Sequence, residues 1–416
     1  MFTLQEKCDM DKIRLFRDSF ATIAGLALAV SLGSCTKDST PVRAQLPAEP
    51  SGFTLKDVAV MLSALPMEST HLDEVHTAVT SSSGNGYDEE YMMRDLLSDP
   101  GAGVGDDAAT RAAVRSGFSN PLRNLIEDYL ANNPSARKSA SSKAGGPDDV
   151  QACIDALCSS KMQIYWPYSE DWDGETFPVI TFDPGYGAES NYGYLLARGD
   201  DGLIVVDSVY VDENLAKSRP VWVVNSNDDS SMTPLELVMD DEAGTRSALP
   251  GASPRGASSK QRNLYLKNFT MLRNYDSWFA GASEFWVKCG SVKGFKATVE
   301  SDLQHYTPSI TDLVVVVKRK YLGVAVPFQA ILVSDFTEQL DKLAFLITED
   351  DGGKSTTWNC SATVKIKSKS YGFEMSIPYR QNDDIVWRGQ LSAGYFTQDK
   401  EVSGRFGDVM VTFALE

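Results

Sequence analysis

Histidine is scarce in this chain: only His71, His76 and His305 occur in 416 residues. That scarcity weighs against three-histidine zinc centres and against most Ser-His-Asp arrangements. Cysteine is sparse too, and none of the six forms a Cys-x-x-Cys pair, so neither a zinc ribbon nor dithiol redox chemistry is indicated. No Gly-x-Ser-x-Gly elbow occurs. Basic residues are outnumbered 39 to 57, giving a formal net charge of −18. Such an acidic surface repels phosphate backbones, which argues against nucleic-acid partners and against docking on anionic membranes. Long apolar runs are missing as well. The one substantial run, Phe20 to Leu32, is too short to span a bilayer as a helix.

That short run is nevertheless informative. Lys12, Arg14 and Arg17 precede it and Leu32-Gly33-Ser34-Cys35 closes it, the charged-then-apolar order of an export signal. The last four residues resemble the lipobox of bacterial lipoproteins. That resemblance implies a signal peptide over 1–34, lipid attachment at Cys35 and an outer-membrane anchor. Thr36-Lys37-Asp38-Ser39 partly resembles the short acidic signal that sends lipoproteins of the Bacteroidota to the cell surface, which favours surface display over the periplasmic leaflet. Acidic residues ahead of Arg14 are unusual in such a signal and point to Met10 as an alternative start.

The remainder predicts an α+β chain, mainly β. Residues 35–52, rich in Ser, Thr, Pro and Ala, suit a flexible tether. A small helical region is expected over 53–133. Thr54 with Asp57 forms a capping-box pattern ahead of Leu55, Val58, Leu62 and Leu65, a second run has Leu72, Val75 and Val79 on one face, a third covers 88–97, and Asn120-Pro121 opens another. Residues 134–149 read as a linker, 150–240 as a β-rich domain and 241–263 as a second linker. The segment 264–416, with eight short apolar or alternating runs, reads as a β-sandwich. Cys289 and Cys360 are placed to meet across it.

Its acidic turns stand above background. Asp276 and Glu284 flank a turn around Gly281 between apolar strands, and Phe345-Leu346-Ile347-Thr348 runs into Glu349-Asp350-Asp351. A third cluster is Asn382-Asp383-Asp384. Carboxylates gathered at one sandwich end repel one another unless hydrated, protonated or bridged by a hard cation, and calcium accepts irregular oxygen cages. Plain polar turns, with Asp and Gly present for backbone reasons, explain the same residues and are the favoured reading. This order is similar to the calcium-dependent phospholipid-binding domains of the synaptotagmin and protein kinase C type. The resemblance implies calcium ligands among Asp276, Glu284, Glu349, Asp350 and Asp351, although Glu284-Phe285-Trp286 stands where that family has Asp-Pro-Tyr.

A second candidate is the stretch from Tyr165 to Glu175, where Trp166, Trp172 and Asp173 combine aromatic faces with carboxylates, the chemistry of a sugar platform. A hairpin around Asp173-Gly174 with its aromatics packed inward explains the same residues and is the favoured reading. His71 and His76 are five apart, not the four that a zincin helix needs. Gly101 to Gly105 is followed by Asp106 and Asp107, which would repel phosphate. The leading functional expectation is a non-enzymatic, envelope-anchored binding or structural module, calcium-stabilised, facing a glycan or protein ligand. The alternative is a glycan-directed hydrolase using paired carboxylates.

Overall fold

The computed structural model describes residues 52–80, 89–97, 120–141, 150–198, 204–227 and 262–416. The lipobox with Cys35, nearly all of the tether, the glycine-rich stretch 101–105 and almost all of the second linker lie outside the described residues. Within them the fold is mixed and dominated by strands, with small helices near the N-terminal end and antiparallel sheets beyond. No helix among the described residues is long and apolar enough to cross a membrane.

The first layer is a six-stranded sheet. Its strands are β1 (Glu90–Met92), β2 (Met162–Tyr165), β3 (Val179–Phe182), β4 (Ser190–Arg198), β5 (Ile204–Asp212) and β6 (Val221–Ser226), in spatial order β1-β2-β6-β3-β4-β5. Only β3 and β6 run parallel. The run Val221-Trp222-Val223-Val224 is buried on both faces, which is why it is apolar without alternation. Trp222 and Val224 face a helical core built from Val58, Leu62, Leu72 and Ile126, whereas Val221 and Val223 pack with Tyr165, Val179, Trp278 and Phe279. The helix Leu55–Ser63 starts at the expected capping box: Asp57 N–H donates to Thr54 Oγ1 at 3.1 Å and Thr54 N–H to Asp57 Oδ2 at 3.0 Å.

Two elements depart from the pattern read in the sequence. The run 88–97 is split into strand β1 and a short helix, Met93–Leu97. Residues Pro134–Ser141, read as the start of a linker, are helical.

Two further sheets share one apolar core. The four-stranded sheet runs β10 (Val326–Phe336), β7 (Arg262–Met271), β16 (Val409–Leu415), β15 (Glu401–Phe406). The other orders β13 (Lys369–Arg380), β12 (Ser355–Ile366), β11 (Leu340–Glu349), β8 (Ser283–Ser291) and β9 (Ser309–Val317), with β14 (Asp384–Ser392) also paired to β11. β12 pairs with β11 only at Leu340 and Lys342, through its own Val364 and Thr363, and β14 lines β11 from Lys342 to Glu349. On β8, Phe285, Val287 and Cys289 enter the core while Trp286 turns to the opposite face with Val314 and Val316. Cys289 and Cys360 lie in the same sheet, on β8 and β12, not on facing sheets, and form no disulfide.

Candidate functional site: an acidic cluster at one end of the sandwich

Strand β11 is central, with an unbroken apolar run from Leu343 to Ile347 ahead of Thr348 and Glu349. Glu349 lies directly opposite Phe285 on β8 and Asp384 on β14, so its side chain shares the inward face of the sheet. Beyond it the chain turns sharply through Gly352 (φ +74°) and Gly353 (φ +95°), conformations that favour glycine. A Cβ on Gly353 would come within 2.9 Å of Asn382, so this turn also depends on the missing side chain. Across the sandwich end, the connection from β7 to β8 delivers Asp276. Asp276, Glu349 and Asp351 each bring a carboxylate oxygen within 4.8 Å of the other two.

Glu349 is the unusual member. It is only 1 % exposed, and neither of its carboxylate oxygens has a hydrogen-bond donor. Burial, then the facing Asp276 carboxyl, raises its pKa far above the usual carboxylate range. Asp276 is likewise raised, chiefly by burial, and two carboxyls at this spacing hydrogen-bond only when one keeps a proton. Asp351 is pushed up to about 6 by burial and by the neighbouring acids. The nearby arginines are committed elsewhere. Arg380 pairs with Asp350, Arg273 with Asp384 and Asp408, and Arg319 with Glu213. An all-oxygen, anionic donor set with an orphaned buried carboxylate fits a hard cation such as calcium.

Glu284 and Asp350 do not join this trio. Glu284 is one residue out of phase with Phe285, so it starts from the opposite face of β8, and its carbonyl accepts the Asp350 N–H at 2.9 Å. Asp350 is saturated: Trp286 Nε1 donates to Oδ2 at 3.0 Å, and Gly352 N–H and Arg380 donate to Oδ1 at 3.0 and 3.1 Å. What the sequence reading missed is the wall of arginines, and Asp384, which the strand register places beside Glu349. The Asn382-Asp383-Asp384 cluster was visible, but its register was not.

The aromatic stretch packs inward. Trp166 is buried, with ring centroids 5.2 Å from Trp172, 5.5 Å from His76 and 5.6 Å from Trp222. Asp173 caps its own turn, accepting from the N–H groups of Glu175 and Thr176 and from the Thr176 hydroxyl. Those bonds lower its pKa to about 2, the opposite of what a general acid needs. A cleft of about 120 Å³ remains between Trp166, Trp172, Lys217 and Arg219. His71 and His76 are spent structurally: His71 Nδ1 accepts the Glu68 N–H at 3.0 Å, and His76 Nε2 lies 3.1 Å from the Ser169 carbonyl.

In comparison with known proteins, the chain matches no family model and no curated relative.

Proposed function

We propose that this chain is a cell-envelope lipoprotein, anchored at Cys35, whose folded body acts as a non-enzymatic binding or structural module stabilised by calcium. The observation that carries the calcium reading is Glu349: a buried carboxylate with no donor, aimed at two further carboxylates. A divalent cation would relieve both the repulsion and the lost hydration, with Asp276, Glu349 and Asp351 as ligands. The anchor rests on the Leu32-Gly33-Ser34-Cys35 pattern and its charged approach. A glycan or protein ligand is supported by the cleft beside Trp172, which offers an aromatic face and both signs of charge.

The hydrolase alternative draws less support. Its carboxylates at 171–175 sit on an exposed turn, and Asp173 is occupied by that turn. The test is a melting curve of the full chain in detergent, first with EGTA and then with millimolar calcium. A calcium-dependent rise that disappears in Glu349→Gln is expected, because a ligand at about a hundred times its Kd adds about 2.7 kcal/mol. In EGTA the same variant should melt close to wild type, since burial and the facing Asp276 already keep the Glu349 carboxyl protonated there and an amide is its neutral counterpart. No rise in wild type would sink the calcium reading.

A further inference from the structure

The three carboxylates are not held alike. Glu349 ends a strand flanked on both sides, and Asp351 follows two residues later. Asp276 instead sits in the long connection between β7 and β8, where no ladder fixes it. That connection is anchored from outside the sandwich. Trp278 and Phe279 are fully buried against β2, β3 and β6 of the six-stranded sheet, in a cluster with Tyr165, Val179, Val221 and Val223. The Trp278 indole donates to the Glu189 carbonyl at 2.9 Å. Asn225, on β6 and itself buried, donates its amide to the carbonyls of Phe279 at 3.0 Å and Ala280 at 2.9 Å.

We infer that the N-terminal sheet is part of the cation site: Trp278 and Asn225 are positioning residues that hold Asp276 against Glu349 and Asp351. The inference rests on the calcium reading above. Without a cation no ligand bond holds Asp276 to the other two carboxyls, and the β7–β8 connection that carries it has no ladder to keep it in place. The anchors two to four residues downstream restrain it before any cation arrives, so the ordering cost is met in advance. Arg319 adds a third restraint, donating to the Asp276 backbone carbonyl at 3.0 Å. Linkage then requires the converse: a cation bound at Asp276 strengthens the seat of Trp278 on the sheet.

The test is calorimetric titration of the full chain in detergent with calcium chloride, comparing wild type with Trp278→Ala, Trp278→Phe and Asn225→Ala. Both alanine variants should weaken calcium binding by roughly 5- to 150-fold, the usual span of coupling between sites. Trp278→Phe should recover most of that loss, because its ring refills the space. In wild type, calcium should also slow amide hydrogen exchange across β6, which contributes no ligand. Should Trp278→Ala fail to fold, Asn225→Ala leaves the apolar contacts in place and carries the test. Wild-type calcium affinity in a folded Asn225→Ala overturns this inference and leaves the calcium reading standing. Absence of calcium uptake by wild type overturns both.

Discussion

Trp286 donates its indole N–H to Oδ2 of Asp350 at 3.0 Å, and this bond ties Asp350 to the face of the sheet opposite Glu349. Three consecutive acids thus do different work. Glu349 turns inward without a donor, Asp350 turns outward into three, and Asp351 returns to the cluster. The alternation follows from the strand period of two, continued two residues past the end of β11. Lys288 lies 4.2 Å from the Trp286 ring centroid and pairs with Asp312 at 2.7 Å, so the Asp350 anchor belongs to a polar network on that face.

Asp350 is therefore expected to serve stability and not cation binding. Asp350→Ala leaves the Trp286 indole and the Arg380 guanidinium without their acceptor. The cost should be about 1–3 kcal/mol, the usual penalty for a buried polar group left unpaired. Arg380 is 37 % exposed at its side chain and can turn to water, which keeps the figure toward the lower end. Urea unfolding in EGTA measures it. A stability equal to wild type would show that the three donors are satisfied without the carboxylate.

Glu89 supplies a pH dependence remote from the cluster. Its backbone is held at φ +85° by two hydrogen bonds, its N–H to Val79 and its carbonyl from Trp166, and its carboxyl is buried with one donor, the Tyr168 N–H. Burial, then the neighbouring Glu170, raises its pKa to about 8, against partial relief from Lys320. The unfolded chain releases this proton near 4.5, whereas the folded chain keeps it to about 8. The contribution is therefore fully present below pH 4.5 and lost as pH rises toward 8, by on the order of a few kcal/mol. Glu89→Gln should match wild type at pH 4.5 and exceed it at pH 8.5 in urea unfolding. Parallel stability curves for the two proteins would refute the assignment.

Local features were legible in the sequence and long-range ones were not. The capping box at Thr54 and Asp57, the apolar run Val221–Val224 of β6 and the mainly β character all follow from short-range pattern. Strands β14 and β15 are absent from the sequence reading for a physical reason. β15 is an edge strand whose burial is confined to Val402 and Phe406, with Gly404 and Arg405 between them. β14 presents only half-buried or exposed residues and takes its place by pairing with β11. Candidate ligands were readable as acids near turns. Which of Glu349, Asp350 and Asp351 faces Asp276 depends on strand register and on Trp286, neither of which leaves a mark in composition or spacing.

Two neighbouring cations at the joint between the layers should behave very differently, and burial decides how. Arg319 is 6 % exposed at its side chain; it reaches Glu213 Oε1 at 3.0 Å, and Tyr168 donates to that same oxygen at 2.9 Å. Lys320 pairs with Glu170 at side-chain exposures of 24 % and 33 %. Removing one partner of a buried pair strands the other, whereas a solvated pair loses little more than a screened Coulomb attraction. Glu213 is 25 % exposed, so water offsets part of the loss. Arg319→Met should therefore cost about 3 kcal/mol, the low end for a broken buried pair, and Lys320→Met no more than about 1 kcal/mol. The double variant Arg319→Met with Glu213→Gln should regain part of the first loss, because no uncompensated charge remains. A loss of no more than about 1 kcal/mol for Arg319→Met in urea unfolding would mean that the buried pair does not hold the layers together, and that the packing of Trp278 and Phe279 with the Asn225 and Glu189 hydrogen bonds does so without it.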